Sequence, residues 1–320
     1  MIRLAAAVFG LVALAVLSLF VGVGSVTLSG LLSPAANGND WELLLISRVP
    51  RTLAIVFAGA SMAVAGMIMQ MLARNRFVEP STAGTADAAG LGIMLVMLLA
   101  PDLPVFARML IAAAFAILGT ALFLAILRRA PLRSPLFVPL IGLMLGGVIG
   151  ALSSFLAYRY DLLQSLAAWT TGDFSMVLLG RYELLWICFG LTLIAYVTAD
   201  RFTVAGLGRD FTTNLGLNHR RIMAAGLTIV ALVTALVITT VGMIPFIGII
   251  VPNAVSLAMG DNMRRSVPYV ALLGAGLVLA CDLLGRVVNH PFEIPIGTVL
   301  GVVGSGCFLY LLLRKRAHVG

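Results

Sequence analysis

Cysteine and histidine are the side chains best suited to bind a transition metal or to act as nucleophiles, and this chain of 320 residues holds three of each. The cysteines lie inside apolar runs without a C-x-x-C spacing, at Cys188, Cys281 and Cys307. The histidines are far apart, at His219, His290 and His318. These patterns predict core cysteines and no metal site.

Nucleotide hydrolysis needs its own residues, and they are missing from the sequence. A P-loop requires G-x-x-x-x-G-K-[ST], but the sole lysine is Lys315, near the end of the chain. The signatures H-E-x-x-H and G-x-S-x-G do not occur either. We therefore expect a protein that is not an enzyme and binds no cofactor, so that any ATP it depends on is bound by a partner subunit.

Asp282 is the best isolated candidate for a proton-coupling group within an apolar segment. Arg286 follows it by four residues, so both side chains fall on one face of a helix. This spacing favours a local ion pair. A proton-coupling role for Asp282 stays open at this stage.

The elements that must position these residues are apolar. The chain is 61% hydrophobic and 11% charged, whereas soluble domains carry roughly 25% charged residues. Apolar runs of membrane-spanning length recur from end to end, and the first is longer than a cleavable signal needs. We predict an all-α, polytopic membrane protein with a single domain over residues 1–320. Its expected surrounding is the lipid bilayer, and we expect no nucleic-acid partner despite the net charge of +8.

Apolar runs separated by charges and by Pro/Gly clusters predict about ten spans. They cover roughly 4–32, 51–72, 88–100, 106–127, 136–158, 183–199, 222–242, 245–259, 267–288 and 296–313. With both termini in the cytoplasm, 15 Arg and Lys residues fall on the inner side and 6 on the outer side. This asymmetry fits the positive-inside rule and favours that topology.

Glycines four residues apart predict close helix packing on the fifth and tenth spans. They are Gly142, Gly146 and Gly150 on the fifth, and Gly297 and Gly301 on the tenth. Packing within the subunit is the favoured interpretation, and a subunit interface is the alternative.

Four stretches occur in a distinctive order. They are RVPRTLAIVFAGASMAVAGMIMQMLARNRFVEPSTAGT (48–85), LGRDFTTNLGLNHRR (207–221), VGMIPFIGIIVPN (241–253) and EIPIGTVLGVVGS (293–305). In this order and spacing they resemble the FecCD family, the permease subunits of ABC importers for ferric siderophores, haem and vitamin B12. RFVEPSTAGT is similar to the branch that serves catecholate-type siderophores. One departure is Asn253, where the family commonly has histidine after VP.

The resemblance extends from Arg48 to Arg314 and implies a ten-helix permease in the bacterial cytoplasmic (inner) membrane. The implied partners are a second FecCD-type permease, identical or related, two cytoplasmic ATPase subunits and an extracytoplasmic substrate-binding protein. The implied cargo is an iron-siderophore complex. The alternative is an ion-coupled secondary transporter that acts without an ATPase and uses Asp282 as its coupling site.

The resemblance also implies a docking surface for the binding protein at the outer mouth. Its residues in this sequence are Arg48, Arg51 and Arg286. Such charges mainly set orientation and encounter rate. The alternative is that these arginines anchor helix ends at the lipid headgroups.

Two gates are implied as well. The inner gate lies where polar and backbone-bending residues interrupt the apolar pattern, at Asn75, Phe77, Pro80, Gly84, Pro135, Leu136 and Leu140. The outer gate belongs to a short extracytoplasmic helix over 167–180, with Trp169 and Gly172. A plain cytoplasmic loop and an ordinary interfacial loop are the respective alternatives.

The segment RDFTTNLGLNHRR, residues 209–221, has the charge pattern of one short cytoplasmic helix. In the FecCD family this position holds the coupling helix that fits a groove on the ATPase. The implied contact residues are Asp210, Phe211, Leu215, Gly216, Leu217, Asn218 and Arg220. A helix that lies on the membrane surface and binds anionic lipid is the alternative.

Overall fold

The structure is a computed structural model that describes residues 2–22, 39–129, 137–260 and 262–316. Two predicted inner-gate residues, Pro135 and Leu136, lie outside these ranges, as does the part of the first predicted span after residue 22. Throughout the described ranges the regular secondary structure is helical, without named strands.

The described residues contain fourteen α-helices. In chain order they are α1 Ile2–Phe20, α2 Asn39–Leu43, α3 Val49–Ala73, α4 Thr85–Leu99, α5 Val105–Arg129, α6 Phe137–Arg159, α7 Leu163–Thr170, α8 Leu184–Val197, α9 Ala199–Leu207, α10 Arg209–Asn214, α11 His219–Val241, α12 Ile247–Met259, α13 Met263–Val288 and α14 Ile296–Arg316. A π-helical turn, Leu44–Arg48, leads into α3, and a 3-10 turn, Pro80–Ala83, precedes α4.

Helix length and composition identify a multi-pass membrane protein. Among the described residues, five helices are long and apolar enough to cross a bilayer, and α8 with α9, bent by 62°, would make a sixth. Four shorter apolar helices cover Leu4–Phe20, Thr85–Leu99, Ile247–Met259 and Ile296–Tyr310. Each predicted span overlaps one of these helices. The total of about ten crossings therefore stays a prediction, because four of the candidates are short.

Helix α3 forms the centre of the molecule, with 89% of its apolar window buried. It packs against α8, α11, α12 and α13. Glycine permits two of these contacts: a Cβ on Gly66 would lie 2.3 Å from the Gly248 Cα, and one on Gly59 would lie 2.8 Å from the Gly274 carbonyl oxygen. Side chains of any size would force these helix pairs apart.

The glycine repeats singled out in the sequence behave differently. Gly146 and Gly150 face the Asp87 carboxylate on α4, and Gly297 packs on the backbone of Gly172. A Cβ added to Gly301, in contrast, would meet no atom within 4 Å. Close packing within the subunit is therefore confirmed at Gly146, Gly150 and Gly297 and is not found at Gly301, where a subunit interface stays a prediction.

Helices α5 and α6 lie at the periphery. Only 33% and 22% of their apolar windows are buried, against 89% for α3. On α6 the side chains of Leu143, Met144 and Val148 are more than half exposed. A surface of this kind faces lipid or another apolar protein surface.

We name the two ends of α3 after the predicted topology. The outer end holds the start of α3 and the last turns of α13. The inner end holds the C-terminus of α3 and the short helix α10.

Candidate functional site

The three predicted docking arginines converge at the outer end of the molecule. Arg51 donates to Asp282 at 2.8 Å and to Glu293 at 2.7 Å. Arg286 also pairs with Asp282, one turn earlier on α13. The local ion pair predicted from the spacing of Asp282 and Arg286 is confirmed. Sequence reasoning missed the links to Arg51 and Glu293.

These guanidinium groups are buried: Arg48 is 6% exposed, Arg51 7% and Arg286 2%. Two of them also cap the end of α1, because Arg48 and Arg286 both donate to the Val21 carbonyl at 3.0 Å. Cations near a helix C-terminus satisfy its last carbonyls and its dipole. The arginines thus fasten α1 to α3 and α13, and their docking role remains a prediction.

The predicted outer-gate residues lie where α7 ends. The helix covers Leu163–Thr170, so the prediction of a helix over 167–180 is wrong beyond its first turn. Trp169 is half-buried and borders a cavity of about 230 Å³. Gly172 is buried, and a Cβ there would lie 2.3 Å from the Met243 carbonyl oxygen.

Main-chain hydrogen bonds join this corner to two distant segments. Met243 donates to the Thr170 carbonyl at 3.0 Å, and Asp173 donates to the Val241 carbonyl at 2.8 Å. Gly297, at the start of α14, donates to the Gly172 carbonyl at 2.9 Å. The end of α7, the α11–α12 connection and α14 therefore meet in one backbone junction.

Four of the predicted inner-gate residues, Asn75, Phe77, Pro80 and Gly84, lie in a compact loop after α3, whereas Leu140 lies on α6. Arg74 adopts the left-handed conformation (φ 48°) and ends the helix. The Asn75 Oδ1 accepts from the Phe77 N–H at 2.9 Å, and Pro80 begins the 3-10 turn. Gly84, at φ 73°, then starts α4. Asx turns, proline and left-handed glycine together explain why the chain reverses here.

An aromatic cluster covers this loop. The Phe77 ring meets Phe308 of α14 edge-on at 5.8 Å, and Phe246 lies 6.4 Å from the same ring. Phe77 is 37% exposed, which places the cluster at the border of the protomer, and Leu140 of α6 is 50% exposed. Sequence reasoning missed Phe246 and Phe308, although Phe246 belongs to one of the four stretches.

Glu79 is a buried carboxylate in the same loop. It accepts from the Ser81 Oγ at 2.6 Å and from the backbone of Phe246. Burial raises the pKa of Glu79, and these two hydrogen bonds offset part of that shift. The carboxylate thus joins the inner loop to the start of α12.

Asn253, at the position where the resembling permeases commonly have histidine, has a structural role here. Its Nδ2 donates to the Arg76 carbonyl at 2.8 Å and to the Ile249 carbonyl at 2.7 Å. One side-chain amide therefore ties α12 to the inner loop.

The predicted coupling segment contains two helices rather than one. Helix α10 ends at Asn214, and Asn218 caps α11 by accepting from the Arg221 N–H at 3.1 Å. The prediction of a single helix over 209–221 is therefore wrong in its second half, and Arg220 lies in the first turn of α11. The start of α10 was predicted correctly, whereas Asn218 was not recognised as the cap residue that begins α11.

The turn between these helices presents apolar side chains to the surface. Phe211 is 51% exposed and Leu215 56%, and Gly216 turns the chain at φ 75°. Leu217 is half-buried. Beneath them Thr212 is fully buried, and its Oγ1 donates to the Gly208 carbonyl at 2.5 Å. The segment is thus held in place by Thr212 and presents Phe211 and Leu215 at its surface.

Metal binding finds no support in the part of the chain that the structure describes. Residues 2–22, 39–129, 137–260 and 262–316 contain no group of three His, Cys, Asp or Glu side chains that could hold an ion.

Comparison with known proteins decides the family. The FecCD transport family matches residues 10–314 of the sequence. The chain belongs to the FecCD transport family. This confirms the family predicted from the four stretches.

Several curated relatives of this FecCD protein are similar over nearly their whole length. The petrobactin import system permease protein YclN of Bacillus subtilis is 48% identical, with 96% of this chain and 97% of the relative covered. The petrobactin import system permease protein FatD of Bacillus anthracis is 42% identical, with 97% and 90% covered. The ferric-anguibactin transport system permease protein FatD of Vibrio anguillarum is 40% identical, with 93% and 94% covered.

Solved structures share the fold of this FecCD protein. A chain described as an inward-facing conformation of a metal-chelate type ABC transporter superposes with a TM-score of 0.86 at 23% identity, covering 98% of this chain and 99% of that one. PsaBC from Streptococcus pneumoniae in complex with Fab gives a TM-score of 0.57 at 16% identity, with 81% and 89% covered.

Proposed function

We propose that this FecCD protein is the permease subunit of an ABC importer that carries an iron-siderophore complex across the bacterial cytoplasmic (inner) membrane. The observation that carries the proposal is the set of siderophore permeases that are 40% to 48% identical over 93% to 97% of this chain. ATP hydrolysis in a partner subunit would drive the transport, since this chain lacks a P-loop lysine and we assign it no cofactor.

The proposed topology has about ten spans with both termini in the cytoplasm. Two observations support it: apolar helices occur at every predicted position, and basic residues are concentrated on the inner side. A second FecCD-type permease, identical or related, would pack against the exposed apolar surface of α6.

Two cytoplasmic ATPase subunits would complete the complex, each contacting one α10 segment. The exposed Phe211 and Leu215 at its tip support this contact, because apolar side chains anchored from below fit a groove on a partner. The Leu215→Asp variant should lose uptake while ATP hydrolysis continues, and Leu215→Met should behave as the unmodified protein. Normal uptake by Leu215→Asp would contradict this contact.

An extracytoplasmic substrate-binding protein would dock at the outer end. Three arginines and two carboxylates meet there, which leaves one net positive charge (3 − 2). Docking by Arg48, Arg51 and Arg286 predicts a binding-protein affinity that falls with added salt, because dissolved ions screen the attraction between this net positive charge and an acidic partner. Salt-independent affinity in a reconstituted complex would remove this role from the arginines.

The proposed inner gate comprises the loop from Asn75 to Gly84 with the cluster of Phe77, Phe246 and Phe308. Irregular backbone near membrane depth is tolerated where it lines a cavity or is buried in protein. The same geometry supports a gate at the border of the protomer, where the path between two permeases would run.

Reconstitution tests the function against a secondary transporter. In vesicles that contain this chain with its ATPase and binding protein, uptake of ferric petrobactin or ferric anguibactin should require ATP and survive collapse of the proton gradient. The buried pairing of Asp282 with two arginines disfavours proton coupling. Uptake by this chain alone on an imposed proton gradient would overturn the proposal.

A further inference from the structure

A cavity of about 530 Å³ lies at the inner end, between the C-terminus of α3, α9, α12 and the start of α13. Its polar wall includes two arginines, four side-chain amides and two hydroxyls, from Arg74, Arg76, Gln70, Asn75, Asn253, Asn262, Thr203 and Ser256. Among the described residues that line the cavity, none is acidic. The charge of this described lining is therefore positive.

The amides in this wall already serve the fold. Gln70 donates to the Gly248 carbonyl at 2.8 Å, and Asn253 donates to the Arg76 carbonyl at 2.8 Å. These bonds hold α3, α12 and the inner loop in fixed relation, so the cavity keeps its shape without a ligand. A site formed in advance loses less entropy when it binds.

Arg74 differs from the outer arginines. Its side chain is exposed, and its guanidinium forms no hydrogen bond or ion pair with another described residue. Arg74 and Arg76 both line the cavity. Guanidinium groups bind phosphate through paired N–H donors, and a nearby second cation strengthens the contact.

The lining also has an apolar part, which includes Met67 and Met71 of α3 and Leu207 of α9. Basic pockets between transmembrane helices on the cytoplasmic side suit anionic lipid headgroups, and the apolar wall suits the adjoining glycerol and chain carbons. We propose that this cavity binds a phosphate-bearing anion, supplied either by the headgroup of an anionic phospholipid or by a soluble phosphate compound.

The same cavity reaches the coupling segment. A Cβ on Gly208 would lie 2.1 Å from the Arg74 Nη2, so this guanidinium rests against the residue that begins α10. An anion held by Arg74 would therefore touch the start of α10. That consequence rests on the function proposed above, whereas the binding itself does not.

Native mass spectrometry of the purified full chain tests the site. Phosphatidylglycerol and phosphatidylcholine are added to separate samples in detergent, and inorganic phosphate is titrated against a third while the protein's melting temperature is recorded. Arg74→Gln and Arg76→Gln should each weaken binding about fivefold, as expected for one basic side chain near an anionic headgroup. Arg201→Gln is the matched control, since it removes an exposed arginine of α9 that does not line the cavity.

The outcomes separate the two sources. Preferential binding of phosphatidylglycerol that the cavity variants weaken supports a lipid headgroup. Stabilisation by inorganic phosphate, with equal binding of the two lipids, supports a soluble phosphate compound. The proposal is overturned if neither anion binds, or if Arg201→Gln weakens binding as much as Arg74→Gln does. Transport is not measured, so this failure would leave the importer function untouched.

Discussion

The two ends of α3 use the same side chain for different purposes. At the outer end, Arg51 and Arg286 are buried and paired with carboxylates. At the inner end, Arg74 is exposed beside a cavity whose described lining includes no acidic residue, and the buried Glu79 is held by hydroxyl and backbone donors. Arginine thus stabilises the fold where carboxylates surround it, and it borders an open cavity where the described lining has none.

The largest effect should come from Asp282, which pairs with both Arg51 and Arg286. Asp282→Asn leaves buried guanidinium groups without their shared counter-charge, so the free energy of unfolding should fall by about 3–5 kcal/mol. Denaturant unfolding of the purified protein in detergent measures this loss. Asp102→Asn, at an exposed position, is the control. Equal stability of the two variants would mean that the outer network does not stabilise the fold.

Glu293 should matter less than Asp282. Among the described residues it forms an ion pair only with Arg51, and its side chain is 19% exposed. Glu293→Gln should therefore lower the free energy of unfolding by about 1.5 kcal/mol, the scale of one charge-assisted hydrogen bond. The same unfolding assay ranks the two carboxylates. A larger loss for Glu293→Gln than for Asp282→Asn would reverse the assignment of Asp282 as the centre of the network.

Glu79 should give the inner end a pH dependence of opposite sign to that of a paired carboxylate. Because burial raises its pKa in the folded protein, the folded state holds its proton more tightly than the unfolded chain does. Its contribution is therefore complete below the ordinary glutamate pKa and is lost as pH rises through the raised pKa. Melting temperatures at several pH values should fall less steeply with rising pH in Glu79→Gln. Identical slopes would show that Glu79 does not titrate in this window.

The smallest effect on stability should come from Arg74. Its side chain is exposed, so Arg74→Gln should change the free energy of unfolding by no more than about 0.5 kcal/mol. Arg51→Gln, in contrast, should destabilise the protein strongly because it removes a partner of the buried Asp282 and of the half-buried Glu293. Similar losses of unfolding free energy for both variants would show that the arginines at the two ends of α3 do not differ in their contribution to stability.

The sequence predicted what depends on composition and on short spacings. Apolar runs located the long helices, and the four-residue spacing of Asp282 and Arg286 predicted their ion pair. The bond between Arg51 and Glu293 joins residues 242 positions apart. No local sequence pattern distinguishes Glu293 from the other acidic residues as the partner of Arg51. The rest of the network could therefore be identified only from the folded structure.

The central glycine contacts show the same limit. Gly66 and Gly248 meet where α3 crosses α12, but they are far apart in the chain and form no repeat. A glycine repeat within one helix can be found in the sequence, whereas a contact between single glycines on two different helices cannot. The boundary of α10 was missed for a different reason: Asn218 is a common helix-cap residue whose signal was read as part of the preceding helix.

The junction beside Gly172 restricts how the outer corner can move. Its three bonds link main-chain atoms of α7, the α11–α12 connection and α14, and main-chain donors persist whatever side chains evolution substitutes. The corner therefore cannot swing open as a separate flap without breaking those bonds. Any rearrangement that preserves these hydrogen bonds must move the three segments together as one rigid body. Bending is then confined to the parts of the helices that lie outside the junction.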